Sequence, residues 1–240
     1  MSYPEPIKYY TDKDDNPLLF HLIDVGEGLM ILIVFPNKKT MLFDCNVTDD
    51  NEERVLEYLE ENLPSRYNKD NNHIKEKWID IFVNSHRDAD HFKGLKKINN
   101  EYKIKSIWDS GETGEAPDSD NYKYYMYLRH KLQEEYGDDS VIIPYPSSTS
   151  ITNFGGAEIY CLNSSFDYNY TREFLLFSDY RDLTENKEIK EAKIQHTNSI
   201  VLSINYQNRS IMLTSDSNWK AWKDKIITKL KQKNHPKRLD

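Results

Sequence analysis

Apolar and polar positions alternate along the chain in short blocks, and the blocks change period. Residues 18–24 (LLFHLID), 29–35 (LMILIVF) and 40–44 (TMLFD) are short, apolar and β-branched, so they predict three strands. The glycine-rich VGEG separates the first two, and PNKK turns the second into the third. Val55, Leu56, Leu59 and Leu63 then recur at helical spacing behind acidic residues, and Pro64 follows, which predicts a helix over 52–63. Residues 66–77 carry no apolar period and read as a polar loop. Residues 78–83 (WIDIFV) are apolar on both faces, as an interior strand is.

The second half repeats the mixture. Strands are predicted over 104–108, 141–145, 157–162, 199–206 and 209–214, the last two as a hairpin around Gln207-Asn208. Residues 111–120 form a loop, and 122–136 a tyrosine-rich helix. Residues 166–197 read as a charged insertion. Trp219, Trp222, Ile226, Ile227 and Leu230 make the apolar stripe of a helix packed on a sheet, and a basic tail completes residues 219–240. Strand-rich halves flanked by helices imply one layered α/β domain over residues 1–240.

Bulk properties narrow the function. The 240 residues can bury a sizeable core, and 17 Tyr, 9 Phe and 4 Trp need one. No apolar run approaches the ~20 residues that span a bilayer, so no membrane partner is expected. The first residues lack a basic-then-apolar leader pattern, and Cys45 and Cys161 are too few for a disulfide framework, so the expected location is cytoplasmic. A net charge of −8 argues against nucleic-acid binding over the whole surface but leaves a local site open.

The chemistry concentrates in VNSHRDADHFKGL, directly after the predicted strand 78–83. His86, Asp88, Asp90 and His91 crowd one turn there. Carboxylates this close repel one another, and a divalent cation relieves the repulsion. Imidazole and carboxylate donors at the end of a rigid strand are placed to converge on metal.

SHRDADHFKGL resembles the H-x-H-x-D-H signature of metallo-β-lactamase-fold hydrolases. With aspartate in its third position, it looks most like the hydrolase domain of the competence protein ComEC and its soluble relatives. FHLIDVGEGLMILIVFPNKKTMLFDCN resembles that group's opening, and NSIVLSINYQNRSIMLTSD resembles its strand pair ending in T-G-D. The likeness runs from about Phe20 to Asp216.

The resemblance implies a four-layer αββα sandwich binding two divalent metal ions, Zn or Mn with Mg as a third option. His86, Asp88 and His196 would hold one ion, Asp90 and His91 the other, and Asp216 would bridge them. Asp44 would brace the metal loop from behind, while Asp24, Gly26 and Gly28 would be structural. The chain departs from the pattern twice: Ser215 stands where the pattern has glycine, and beyond Asp216 the only histidine is His235. The second departure implies that His235 substitutes for a further family histidine, that the last elements of the fold lie beyond Asp240, or that the second metal site is incomplete, the second of these being the expectation.

Three aspartates against two divalent ions leave a slightly positive site, suited to an anionic phosphodiester. The expected function is therefore metal-dependent phosphodiester hydrolysis with Asp90 orienting the attacking water, and the resemblance implies DNA or another nucleotide as the substrate. Substrate-binding residues are not fixed by the sequence; tyrosines of 121–131, with Lys123, Arg129 and Lys131, are candidates for stacking and phosphate contact. The alternatives are hydrolysis of a lactone, lactam or thioester on the same fold, and a degenerate module that binds metal or nucleotide without turnover.

Overall fold

In the computed structural model, residues 16–68, 71–111, 119–165 and 194–231 are described. Most of the insertion, residues 166–193, and His235 lie outside them.

The chain is a mixed α/β protein with two main sheets. The first has six strands in the order β1 (Leu19–Leu22), β2 (Ile31–Val34), β3 (Thr40–Phe43), β6 (Ile81–Asn84), β7 (Ile107–Asp109) and β8 (Val141–Ile142). The first three pair antiparallel, whereas β3, β6, β7 and β8 run parallel. The second sheet is antiparallel, in the order β12 (Arg209–Leu213), β11 (Val201–Tyr206), β10 (Ala157–Asn163) and β9 (Thr152–Phe154).

Side-chain alternation explains how the strands are buried on both faces. Leu32, Leu42 and Phe82 point into a core shared with the helices α1 (Glu52–Asn62), α3 (Leu95–Glu101) and α4 (Asp120–Tyr136). Their neighbours Ile31, Ile33, Met41, Phe43, Ile81 and Val83 point the other way, onto Ile159, Leu202 and Ile204 of the second sheet. A smaller core joins Leu162 and Val201 to Ala221 and Ile226. Those two belong to a C-terminal helical segment made of α6 (Trp219–Ala221), a π turn (Trp222–Ile226) and α7 (Ile227–Leu230). Each fully buried large apolar side chain contributes about 1.5–3 kcal/mol, so these interleaved cores dominate the placement of the strand ends. Among the described residues, no helix is long and apolar enough to cross a membrane.

Several expectations need correction. Residues 66–77 are not a loop throughout: β4 (Arg66–Asn68) and β5 (Asn71–Glu76) form a hairpin. Its sequence lacks apolar alternation because it is held by polar contacts, with Arg66 stacked 3.9 Å over Trp78 and paired to Asp80 at 2.6 Å. The strand expected over 78–83 is regular only at Ile81–Asn84, since the Asp80 carboxylate turns aside to accept from the Thr40 amide. Short helices α2 (Ala89–Phe92) and α3 follow the metal-like loop, where no helix was anticipated. The tyrosine helix forms, capped by Ser119, but Tyr122 and Tyr125 are buried and Arg129 lies 2.7 Å from the buried Asp109. Those three are unavailable to stack or bind a ligand.

Candidate metal centre

The parallel strands β3, β6 and β7 all end on one side of the sheet, and polar residues follow each end: Asp44, then Ser85 to His91, then Asp109 and Ser110. Carboxyl ends of parallel strands are where open α/β sheets place ligand sites. The turn between β6 and α2 is fixed by its backbone. Asp44 N–H donates to Val83 O at 2.9 Å, and Cys45 N–H to His91 O at 2.8 Å. Ile200 N–H donates to Ser85 O at 2.8 Å, which ties the second sheet to the same turn. Gly28, at φ +86°, passes so close that a Cβ would collide with the carbonyl oxygen of Asp90. Asp24 closes the preceding turn by accepting from the Gly26 amide at 3.0 Å, a structural role as expected.

Six side chains that the sequence singled out meet here. His196, from the short α5 (Ile194–Thr197), places Nε2 3.1 Å from Asp88 Oδ2, and His86 Nε2 lies 3.4 Å from the same oxygen. On the other side, His91 Nε2 stands 3.6 Å from both Asp90 Oδ2 and Asp216 Oδ2. The His86 ring bridges the two groups, with its centroid 4.0 Å from that of His91 and 5.1 Å from that of His196. One ligand atom each from His86, His196 and Asp216 lies within 4.8 Å of the others. The Asp90 side chain is about one-third exposed (34 %) and that of Asp216 half exposed (51 %), so this side opens to solvent.

Behind these ligand-type groups lies a hydrogen-bonded hub centred on Asp44, the residue for which the resemblance implies a bracing role. The fully buried Asp44, at φ +57°, accepts from Ser85 N–H at 2.8 Å on Oδ1. Its Oδ2 takes the Ser85 hydroxyl at 2.6 Å and His91 Nδ1 at 2.8 Å. A carboxylate only accepts, so His91 carries its hydrogen on Nδ1. The Ser85 hydroxyl has one proton, and the short contact to Asp44 uses it. His86 Nδ1, 3.0 Å from Ser85 Oγ, must then be a donor to that oxygen. Through one carboxylate, directly and through a serine, His91 and His86 are thus both held by Nδ1 with Nε2 facing the cluster. Such outer contacts are how ligating histidines are oriented.

The electrostatics of the cluster are set by opposed burial and charge. Burial disfavours a charged His91, but Asp44 outweighs it, with Asp90 and Asp216 adding, and the pKa rises to about 9. Burial likewise opposes the Asp88 carboxylate, yet the contacts from His196 and His86 hold it well below the usual carboxylate range. His86 Nε2 and Asp88 Oδ1 are buried without a hydrogen-bond partner. Buried polar atoms left unpaired are costly, and a shared divalent ion would satisfy both. The donor set, imidazole nitrogens and carboxylate oxygens, fits that ion.

The metal-like loop is also gripped from its far side. Arg87 points away from the cluster, between His86 and Asp88, and is 2 % exposed. Its guanidinium forks onto Asp109, Nε to Oδ1 at 3.1 Å and Nη2 to Oδ2 at 2.7 Å, and Nη1 donates to the Tyr122 hydroxyl at 2.8 Å. Burial works against the Asp109 carboxylate, but the charges of Arg129 and Arg87 lower its pKa to about 2. Sequence reasoning missed this pair; the available signal was an aspartate ending a buried strand, in IWDS. His196 is steadied from neighbouring segments, with Asn218 N–H donating to its carbonyl at 3.4 Å and Asn163 Nδ2 to Thr197 O at 2.9 Å. Compared with known proteins, the chain matches no protein-family model and no curated protein.

Proposed function

We propose that the chain is a metal-dependent hydrolase built on the four-layer metallo-β-lactamase plan, of the ComEC-like kind, acting on phosphodiesters of DNA or another nucleotide. The observation that carries this reading is the meeting of His86, Asp88, Asp90 and His91 with His196 and Asp216, three stretches far apart in the chain. A solvated polar loop with incidental histidines has no reason to bury His86 Nε2 without a hydrogen bond, beside Asp88 and next to the His196 ring.

In this reading His86, Asp88 and His196 would hold one divalent ion and Asp90 and His91 a second, with Asp216 available to both. When bound, the ions lower the pKa of water and neutralise charge on the phosphoryl oxygens. Asp90, at the open mouth, orients the attacking water and accepts its proton. Asp44 and Ser85 keep both imidazoles in the ligating orientation. The Asp88 carboxylate makes the donor set harder than an all-histidine one, which favours Mn²⁺ or Mg²⁺ relative to Zn²⁺. The test is incubation of the protein with Mn²⁺ and single- or double-stranded DNA. Cleavage no greater than that of the His86→Ala/Asp90→Ala variant rejects the reading.

The exposure of Asp90 and Asp216 favours one alternative, a module that binds a single ion without turnover. Metal analysis separates them: the hydrolase retains close to two ions per chain, the module one or none.

A further inference from the structure

Ser215 is one of five described non-glycine residues with positive φ, at +44°. That region strains any residue with a Cβ, and glycine would occupy it freely. Ser215 sits immediately before Asp216, on the turn that leaves β12, and Ser217 N–H closes that turn onto Thr214 O at 3.2 Å. Its hydroxyl does not face solvent alone. It lies 2.7 Å from Ser85 Oγ and 3.2 Å from Asp44 Oδ2.

The proton count around Ser85 has one solution. Ser85 gives its hydrogen to Asp44 at 2.6 Å and accepts from His86 Nδ1. A 2.7 Å oxygen–oxygen contact needs a proton between the atoms, and only Ser215 has one left to offer. Ser215 therefore donates to Ser85, with Asp44 Oδ2 at 3.2 Å as the second, longer acceptor of the same hydrogen, and the Ser85 oxygen donates once and accepts twice, the full capacity of a hydroxyl. The strained backbone and the hydroxyl act together: the left-handed turn brings Oγ back to the hub, and the bond fixes the residue that carries Asp216.

We infer that Ser215 is a positioning residue that clamps the half-exposed Asp216 carboxylate beside His91 and His86 by anchoring its loop to the Ser85–Asp44 hub. This deepens the proposed function and rests on the metal reading of the site. Asp216 arrives from the edge strand of the second sheet, whereas His86 and His91 sit on the first, so their spacing depends on a cross-sheet tie of this kind.

The experiment compares wild type, Ser215→Gly, Ser215→Ala, Asp216→Asn and the Ser215→Gly/Asp216→Asn double variant. The readouts are calorimetric titration with Mn²⁺ alone, the electron paramagnetic resonance spectrum of the bound Mn²⁺, and thermal unfolding of the metal-free protein. Both serine variants are expected to bind Mn²⁺ at least tenfold more weakly, in the range seen for outer-shell partners of ligands. Ser215→Gly is expected to melt no lower than wild type, because strain is relieved as affinity falls. Its Mn²⁺ spectrum moves toward that of Asp216→Asn, and the double variant binds no worse than Asp216→Asn. Wild-type affinity in Ser215→Gly, or losses that simply add in the double variant, overturns the clamp and leaves the hydrolase reading standing. A wild-type chain that binds no Mn²⁺ overturns both.

Discussion

Replacing Asp109 by asparagine removes one charge from the interior and leaves the shape intact. Two cations then face a neutral amide: Arg87, 2 % exposed in its side chain, and Arg129, 11 % exposed. Arg87 loses the charge that both arms of its fork bind, while Arg129 Nε, 2.7 Å from Oδ2 but off the hydrogen-bond axis, loses its counter-ion. Breaking one partner of a buried pair costs about 3–5 kcal/mol, a large part of the roughly 5–15 kcal/mol that a domain has. For a chain of this size that lowers the melting temperature by roughly 10 °C. Acid provides a gentler version of the same loss. The folded pKa of about 2 lies below the ordinary carboxylate value of 3.8, so the contribution is fully present above the unfolded value and disappears as pH falls through about 2. That pH-linked part is smaller, about 2 kcal/mol, because a protonated carboxyl still accepts a hydrogen bond from Arg87. Urea unfolding at neutral pH measures the first quantity, and a double-variant cycle with Arg87→Met isolates the coupling. A change under about 0.5 kcal/mol in Asp109→Asn would refute the argument that this pair holds the loop.

Other consequences follow from the same contacts. Asp44→Asn removes the charge and turns one of two acceptor oxygens into a donor, so the Ser85 and His91 donors can no longer all be met, and Mn²⁺ affinity should fall by about 10–100-fold in calorimetric titration. Gly28→Ala forces a Cβ against the Asp90 carbonyl at φ +86°, and should destabilise by about 1–3 kcal/mol in urea while weakening metal binding; an unchanged midpoint would contradict the close approach. Saturating metal at about one hundred times its dissociation constant should add about 2.7 kcal/mol of stability, and chelation should remove that increment in a thermal scan.

The sequence made the site more legible than its support. SHRDADH announced itself because histidine and aspartate at that density have little other use, and the apolar strand before it fixed where the turn would stand. His196 and Asp216 were reachable through the resemblance, since the intervening chain gives no local reason for them to meet His86. The apolar run in WIDIFV made an interior strand covered on both faces readable. The β4–β5 hairpin was not, because its stability comes from Arg66, Asp80 and Trp78 rather than from apolar period. Asp44 was named through the resemblance, but its partners Ser85 and Ser215 stayed hidden because serine is common and its role lies entirely in which acceptor it faces. The tyrosine helix misled in the opposite direction: Tyr122 and Tyr125 serve the interior and the Arg87 pair, not a ligand.

In the proposed hydrolase, His86, His196 and Asp216 share a divalent ion. Anomalous diffraction from crystals grown with Zn²⁺ or Mn²⁺ tests it most directly. The account predicts a peak about 2.0–2.3 Å from His86 Nε2, His196 Nε2 and an Asp216 carboxylate oxygen. Crystals whose metal peaks lie elsewhere, with these three side chains bound only to water, would contradict it.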